Sequence, residues 1–146
     1  MNFQMENILY DELHFYAFSA NNNAGKYKKD IVNDPCKYDE LNKINNWRQM
    51  FSSFWTNDPF VYEGNTYLSY EHAYQASKFK INGFDEFAYK FTLESEDEIS
   101  RLKGKAVQKA GRNIILNAEQ IKNWDANVGQ IKQKIYAAKF TLRTAK

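Results

Sequence analysis

The fold of this chain is decided by the stretch SYEHAYQASKFKIN, which is residues 69–82. Ser69 is a favourable N-cap, and Glu71 follows in the first turn, where a carboxylate complements the helix dipole. The pattern predicts a helix from Tyr70 to about Asn82, and its core-facing residues are Ala73, Ala76 and Phe79. Polar residues recur at i, i+4, i+7 and i+11 on another side of the helix, with Tyr74 close by: Glu71, Gln75, Lys78 and Asn82.

A hairpin is expected immediately before this helix. Residues 60–63 and 66–68 are strand-like runs, and Gly64-Asn65 joins them. Glycine at the first central position suits a type II′ turn. Another strand is expected at residues 13–18, where apolar and polar side chains alternate.

Further helical segments are expected toward the C-terminus. Ser95 and Glu98 have the spacing of a capping box that opens a helix toward Lys103, and Gly104 separates this helix from a segment at residues 105–113. Trp124 is expected to precede the last helix, where it forms a hydrophobic staple or, as a tryptophan between helices, stacks on a base. The apolar stripe of that helix has spacings of three and four: Val128, Ile131, Ile135, Ala138 and Leu142. Its basic residues lie mostly off the stripe and form either a solvated face, which we favour, or a phosphate-binding face: Lys132, Lys134, Lys139, Arg143 and Lys146.

The composition indicates one globular domain. The chain has 146 residues, of which 43% are hydrophobic and 26% are charged. A chain of this size buries enough surface to form a core without disulfides or metals. We therefore expect a single helix-rich α+β domain over residues 1–146, with an insertion at about residues 21–46. That stretch is either a surface insertion or a short helix around Tyr38 to Ile44.

Several protein classes are excluded by the residue counts. The single cysteine, Cys36, and the absence of a basic residue before Lys26 predict a cytoplasmic protein without a secretory signal. No apolar run approaches a membrane span, so no membrane partner is expected. The net charge of +2 argues against a strongly basic nucleic-acid binder, and one cysteine with two histidines is too small a set for zinc. No P-loop, dinucleotide fingerprint or nucleophile elbow occurs.

Glu71 is the strongest candidate for chemistry. It begins a helix next to the aromatic residues Tyr62, Tyr67 and Tyr70, which could desolvate a carboxylate and hold a planar ligand beside it. The alternative is an ordinary solvent-facing glutamate. His72 projects about 100° further round the helix, so packing is expected for it. Arg112 either binds a phosphate or carboxylate or caps the end of its helix, and we favour the cap.

Several motifs together resemble those of one protein family. They comprise FSSF at residues 51–54, the hairpin from Phe60 to Tyr67, YEHAYQASKF at residues 70–79, Ala110-Gly111-Arg112, Asn123-Trp124 and Ala138-Lys139-Phe140. The family is the NADAR superfamily, whose bacterial members include the YbiA-like N-glycosidases. The resemblance covers about residues 47–142, and Phe15-Tyr16 is similar to the opening strand of the family.

The resemblance implies a compact YbiA-like α+β fold that binds an ADP-ribose-like nucleotide or a ribosyl phosphate and hydrolyses an N-glycosidic bond. Family members act on riboflavin-pathway intermediates or remove ADP-ribose from guanine bases, so ADP-ribosylated nucleic acid is a further expected partner. No metal or organic cofactor is implied. The implied catalytic residues are Glu71 and Trp124. The implied substrate-binding residues are Phe15, Tyr16, Phe51, Ser52, Ser53, Phe54, His72, Gln75, Lys78 and Arg112. A module that binds the nucleotide without turnover is the alternative.

The sequence departs from the family pattern at a few points. Ser53 stands where the family has Asn, and Asn113 stands where an acidic residue is common. The family also continues through Asp-x-x-Trp-Gly and Gly-x-Asn-x-Leu-Gly segments, which this sequence lacks. We therefore expect a pocket open on one side and a chain that binds ADP-ribose with slow turnover or none. Rapid hydrolysis would instead point to a second catalytic group from Asp58, Asp125 or another subunit.

Overall fold

The computed structural model describes residues 11–141, and the chain divides into two compact units, Met1–Ser52 and Ser53–Lys146. Helices dominate, and the sheet among these residues is a two-stranded antiparallel hairpin. The α+β class predicted from the sequence is confirmed. Among the described residues, no helix combines the length and the apolar character that crossing a membrane requires.

The first unit is built from short segments. It contains a 3-10 turn at Pro35–Tyr38 and two short helices, α1 at Asp39–Asn42 and α2 at Trp47–Phe51. Of the two alternatives for residues 21–46, the short helix is therefore present, over a narrower range than expected.

The strand predicted at residues 13–18 is wrong. Ladder pairing in this region is limited to the bridge between Glu12 and Ile31. The chain then turns, because the Ser19 N–H donates to the Tyr16 carbonyl and the Tyr16 N–H donates to Ser19 Oγ. Phe15, on the face that the alternating pattern would bury, is 38% exposed, and Phe18 is 84% exposed. The local serine turn therefore outweighs the strand pattern of the side chains.

A buried arginine organises the first unit. Arg48 is 1% exposed, and its guanidinium donates to the carbonyls of His14, Asn22 and Asn23 and to both carboxylate oxygens of Asp30. All five of its N–H groups thus have acceptors. Burial alone would raise the pKa of Asp30, but hydrogen bonds from Arg48 and from two backbone amides outweigh burial and lower it.

The second unit begins with the predicted hairpin, one residue out of the predicted register. Strand β1 spans Phe60–Tyr62 and strand β2 spans Asn65–Tyr67, with Tyr62 opposite Asn65. The turn residues are Glu63 and Gly64, at φ 48° and 84°, so the turn is type I′ rather than II′. This register buries the rings of Phe60, Tyr62 and Tyr67, and a slip of one residue would move one strand's side chains to the other face.

The predicted helix after the hairpin is present as α3, Tyr70–Lys80. Ser69 Oγ accepts from the His72 N–H at 3.3 Å, as expected for an N-cap. The predicted core residues are confirmed, since Ala73, Ala76 and Phe79 are at most 2% exposed. The helix ends two residues early because Gly83 adopts φ +84° and the Phe84 N–H returns to the Phe79 carbonyl.

The helix predicted from Ser95 to Lys103 is wrong. A short helix α4, Asp85–Tyr89, is followed by 3-10 turns at Leu93–Ser95 and Glu98–Arg101. Ser95 donates to the carbonyls of Lys90 and Thr92 instead of capping a helix. Glu96 at φ +57° interrupts the chain between the two turns, and Asp97 caps the second.

Two helices complete the second unit. Helix α5, Lys105–Ala110, begins after Gly104 as predicted and ends three residues before the predicted end. Helix α6, Ala118–Thr141, starts earlier than expected and contains Trp124 within it, so the predicted staple is wrong. Its true start is a reciprocal cap, in which Asn117 and Gln120 each accept from the other's backbone N–H. Trp124 lies four residues before Val128 and therefore extends the apolar stripe.

The stripe of α6 is partly confirmed. Ile135 is fully buried, and Val128, Ile131 and Ala138 are half-buried. Lys139 is 3% exposed, so its assignment to the solvated face is wrong. Leu142, Arg143 and Lys146 lie outside the described residues.

Candidate functional site

A cavity of about 680 Å³ opens within the Ser53–Lys146 unit. Its volume suits a nucleotide-sized ligand. Cationic, amide and phenol side chains surround a single carboxylate among the residues that line it: Ser53, Tyr70, Glu71, Tyr74, Gln75, Lys78, Gln108, Arg112, Lys132 and Tyr136.

Four segments bring these side chains together, and the stretch before β1 supplies Ser53. Helix α3 supplies five of them on one side, because Glu71, Gln75 and Lys78 recur at helical spacing and Tyr70 and Tyr74 flank them. Helix α5 and the turn after it supply Gln108 and Arg112, and α6 supplies Lys132 and Tyr136 one turn apart. The polar side of α3 predicted from the sequence therefore faces a cavity, except at Asn82. The Asn82 side chain instead bonds to the Lys78 carbonyl and to Asn123.

Glu71 is 6% exposed and is held by amide groups. Its Oε2 accepts from Gln75 Nε2 at 2.7 Å, and its backbone N–H donates to the Ser53 carbonyl at 3.0 Å. Burial raises the pKa of Glu71, although hydrogen bonds from Gln75 and Gln108 and the charges of Lys78 and Lys132 act in the opposite direction. A carboxylate with a raised pKa is a better base than an exposed one.

Three cations line the same cavity as this one carboxylate. They are Lys78, Arg112 and Lys132. Burial lowers the pKa of Lys78, which the Glu71 charge opposes and the Arg112 charge reinforces. The lining therefore carries an excess of positive charge, which favours a ligand with more than one negative charge.

Tyrosine rings form the remaining wall. Tyr70 stacks on Tyr136 with centroids 4.4 Å apart, and on Tyr74 with centroids 6.1 Å apart. Burial raises the pKa of all three phenols, so they remain protonated at neutral pH. Such a wall offers flat apolar faces together with hydroxyl groups that donate or accept hydrogen bonds.

Trp124 lies behind this wall. The ring is 6% exposed and packs edge-on against Tyr74, with centroids 5.2 Å apart. Trp124 is not among the residues that line the cavity, and its link to the cavity is its contact with the lining residue Tyr74.

His72, in the first turn of α3, is fully buried. It is 0% exposed, and its ring nitrogens bond to Ser69 Oγ at 2.7 Å and to the Ile99 carbonyl at 3.0 Å. A carbonyl only accepts, so Nε2 carries a proton. Burial lowers the pKa of His72 to about 4, so the ring is neutral and its Nδ1 accepts from Ser69. Both nitrogens are thus occupied, and the packing role expected from helical position is confirmed.

The remaining site residues implied by the resemblance fall in different places. Ser53, Gln75, Lys78 and Arg112 line the cavity, whereas Phe54 is half-buried and does not. The other four residues belong to the first unit: Phe15, Tyr16, Phe51 and Ser52. The rings of Phe15 and Phe51 meet edge-on with centroids 5.6 Å apart, Tyr16 is exposed and Ser52 is buried.

Sequence reasoning missed Gln108 and Tyr136, and it offered Lys132 only in the less favoured alternative of a phosphate-binding face on the last helix. Gln108 carries no local signal, because a glutamine in a short helix is usually a surface residue. Lys132 and Tyr136 are four residues apart on α6, a spacing that places them on one side of the helix without saying what they face. The expected second acids do not line the cavity. Asp58 instead accepts from Trp55 Nε1 at 2.6 Å, and Asp125 is exposed.

Comparison with protein-family models, with curated proteins and with solved structures found no match to this chain. Among residues 11–141, no group of three or more histidine, cysteine, aspartate or glutamate side chains is arranged to hold a metal ion.

Proposed function

We propose that this protein is an N-glycosidase of the NADAR type that hydrolyses the N-glycosidic bond of an ADP-ribosyl or ribosylamine-phosphate compound. The observation that carries the proposal is the surroundings of Glu71. A nearly buried carboxylate faces three cations and three tyrosine rings in one cavity of nucleotide size.

Glu71 suits the central step of such a reaction. Cleavage of a ribosyl bond passes through a transition state with positive charge on the sugar. A carboxylate beside the sugar stabilises that charge or removes a proton from the attacking water, and the water oxygen replaces the departing base nitrogen. The hydrogen bond from Gln75 fixes the orientation of this carboxylate.

The cations suit the phosphate groups of the substrate. Lys78, Arg112 and Lys132 converge on the cavity that contains Glu71. A guanidinium binds two phosphate oxygens at once, and each ammonium adds a point charge. The tyrosine faces of Tyr74 and Tyr136 would hold the planar leaving base.

The direct test is release of free base. Wild-type protein is incubated with ADP-ribosylated guanosine and with a ribosylamine 5′-phosphate, and the released base is measured by chromatography. We expect turnover with at least one of them, and Glu71→Gln should reduce kcat by about 100-fold or more because, among residues 11–141, it removes the only carboxylate of the lining. Glu119→Gln is the matched control, since Glu119 also lies in the first turn of a helix but is exposed outside the cavity.

A nucleotide-binding module without turnover is the second candidate. It is favoured by the absence of a second carboxylate from the cavity lining, since glycoside hydrolysis commonly uses two. Calorimetric titration with ADP-ribose separates the two functions. Binding without base release from either substrate would favour the module, and the absence of both binding and release would contradict both proposals.

A further inference from the structure

One atom in the cavity wall has no hydrogen-bond partner. Gln75 is 5% exposed, and its Nε2 donates to Glu71 Oε2 at 2.7 Å. Its Oε1 is buried and accepts no hydrogen bond. The Nε2 bond to Glu71 sets the orientation of the amide, and a second feature leaves room for its oxygen although the oxygen gains no hydrogen bond there.

That feature is the absence of a side chain at Gly111. A Cβ built on Gly111 would lie 2.3 Å from Gln75 Oε1 and 2.8 Å from Gln75 Cδ. The amide therefore packs directly on the backbone of Gly111. The backbone angles of Gly111, φ −65° and ψ −11°, are open to any residue, so space and not conformation requires glycine here.

We propose that Gly111 and Gln75 act together as a positioning pair, in which the bare backbone of Gly111 admits the Gln75 amide and the amide orients the Glu71 carboxylate in the cavity. The reversed amide would point its oxygen at the carboxylate oxygens, so only the observed orientation is attractive when Glu71 is ionised. The value of this orientation for catalysis rests on the proposed function, whereas the coupling of the three residues does not.

The geometry also indicates which group moves when a side chain is added at position 111. Gln75 Oε1 is the far end of a flexible side chain that borders open cavity space. A methyl group at position 111 is therefore accommodated mainly by movement of the amide, and it would also lie 3.2 Å from the Gln108 carbonyl oxygen. Gly111→Ala should thus detach Gln75 from Glu71 while leaving the fold intact.

The test is the titration of Glu71 in Gly111→Ala, followed by NMR of ¹³C-labelled glutamate carboxyl groups and assigned with Glu71→Gln. The Gln75 hydrogen bond lowers the pKa of Glu71, so its loss should shift that pKa further upward. The charged groups that face Glu71 remain in place: Lys78, Arg112 and Lys132. Gly129→Ala is the matched control, because a Cβ on Gly129 in α6 would meet nothing within 4 Å. It should leave the titration unchanged.

A double-mutant comparison identifies the pair. Gln75→Ala alone should raise the pKa of Glu71, and adding Gly111→Ala to it should cause no further shift because the clashing amide is gone. An unchanged titration in Gly111→Ala, or shifts that add in the double variant, would overturn the proposal. If Gly111→Ala does not fold, the double variant decides. A folded double variant supports the pair, and an unfolded one contradicts it.

Activity then separates this inference from the proposed function. Gly111→Ala should lower kcat by about 10- to 100-fold with a smaller change in KM, as expected when a reacting group is misplaced. A shifted titration in a protein that releases no base would support the pair and count against the glycosidase. If Glu71→Gln lowers base release, and Gly111→Ala changes neither base release nor the pKa of Glu71, the glycosidase would be supported and the pair contradicted.

Discussion

Two neighbouring side chains in the first turn of α3 are buried with their charge disfavoured. Burial raises the pKa of Glu71 and lowers that of His72. Glu71 faces a cavity, whereas His72 is fully enclosed by Ser69 and Ile99. The Glu71 carboxylate borders open space and the His72 ring is part of the packed interior, so we expect the two residues to respond to different measurements.

His72 should make folding sensitive to mild acid. Its pKa is about 4 in the folded chain against 6.5 in the unfolded chain, so its contribution is fully present above pH 6.5 and is lost as the pH falls toward 4. The loss amounts to about 3 kcal/mol. In urea unfolding between these pH values, the difference in stability between wild type and His72→Gln should shrink by about this amount.

Ser69→Ala is the control for this prediction. It removes a hydrogen-bond partner and an N-cap but keeps the imidazole, so it should lower stability while the loss between pH 6.5 and 4 remains. Parallel pH curves for wild type and His72→Gln would show that protonation of His72 is not linked to unfolding.

At the scale of elements, the hairpin turn is not optimal. Glu63 adopts φ 48° in a type I′ turn, a conformation that asparagine tolerates better than glutamate. Glu63→Asn creates the Asn-Gly pair that such turns prefer, and it should raise the free energy of unfolding by about 0.5–1 kcal/mol. Thermal and urea unfolding measure the gain.

Glu86→Asn is a suitable comparison for the turn variant. Glu86 is exposed in the first turn of α4, where the backbone is helical and asparagine brings no relief of strain. Equal effects of the two substitutions, or a loss of stability in Glu63→Asn, would contradict the account of the turn.

The elements that the sequence predicts well are those whose signals are local and agree with one another. The Ser69 cap and the apolar spacing of Ala73, Ala76 and Phe79 determine α3 within the chain itself. The start of α6 was missed although it is also local, because Asn117 and Gln120 form a capping pair with amide side chains in place of the more familiar serine and glutamate. Ser95 shows the opposite error, since a left-handed Glu96 breaks the predicted helix.

Helical spacing alone predicted the side of the candidate site that α3 supplies, whereas Ser53 and Arg112 came from the resemblance. Glu71, Gln75 and Lys78 follow from helical spacing. Lys132 and Tyr136 reach the same cavity because α6 packs against α3, and a sequence pattern does not encode which helices pack together. Gly111 was identified only as part of a motif, since its role depends on the approach of Gln75 from another helix.

At the scale of the whole molecule, the first unit depends on Arg48. Arg48→Met would leave the Asp30 carboxylate, whose side chain is 0% exposed, without its counter-ion. Removal of one partner from such a pair costs about 3–5 kcal/mol. Hydrogen exchange should show lost protection at the amides of His14 and Gly25, which donate to Asp30.

An exposed ion pair provides the control for Arg48. Lys43 and Glu40 are 3.1 Å apart with side chains 70% and 89% exposed. Lys43→Met should therefore change stability by less than about 1 kcal/mol. Retained protection at His14 and Gly25 in Arg48→Met would show that the guanidinium is dispensable.

Two of the three tryptophans, Trp47 and Trp124, give the chain its own fluorescent reporters. Trp124 touches Tyr74 in the cavity wall, so its emission should change when a ligand displaces water from that wall. Trp47 is enclosed in the first unit with the Arg48 guanidinium 4.3 Å above its ring, and its emission reports the state of that unit. Trp47→Phe and Trp124→Phe therefore resolve the two signals, and a single cuvette can follow ligand occupancy and unfolding without an added dye.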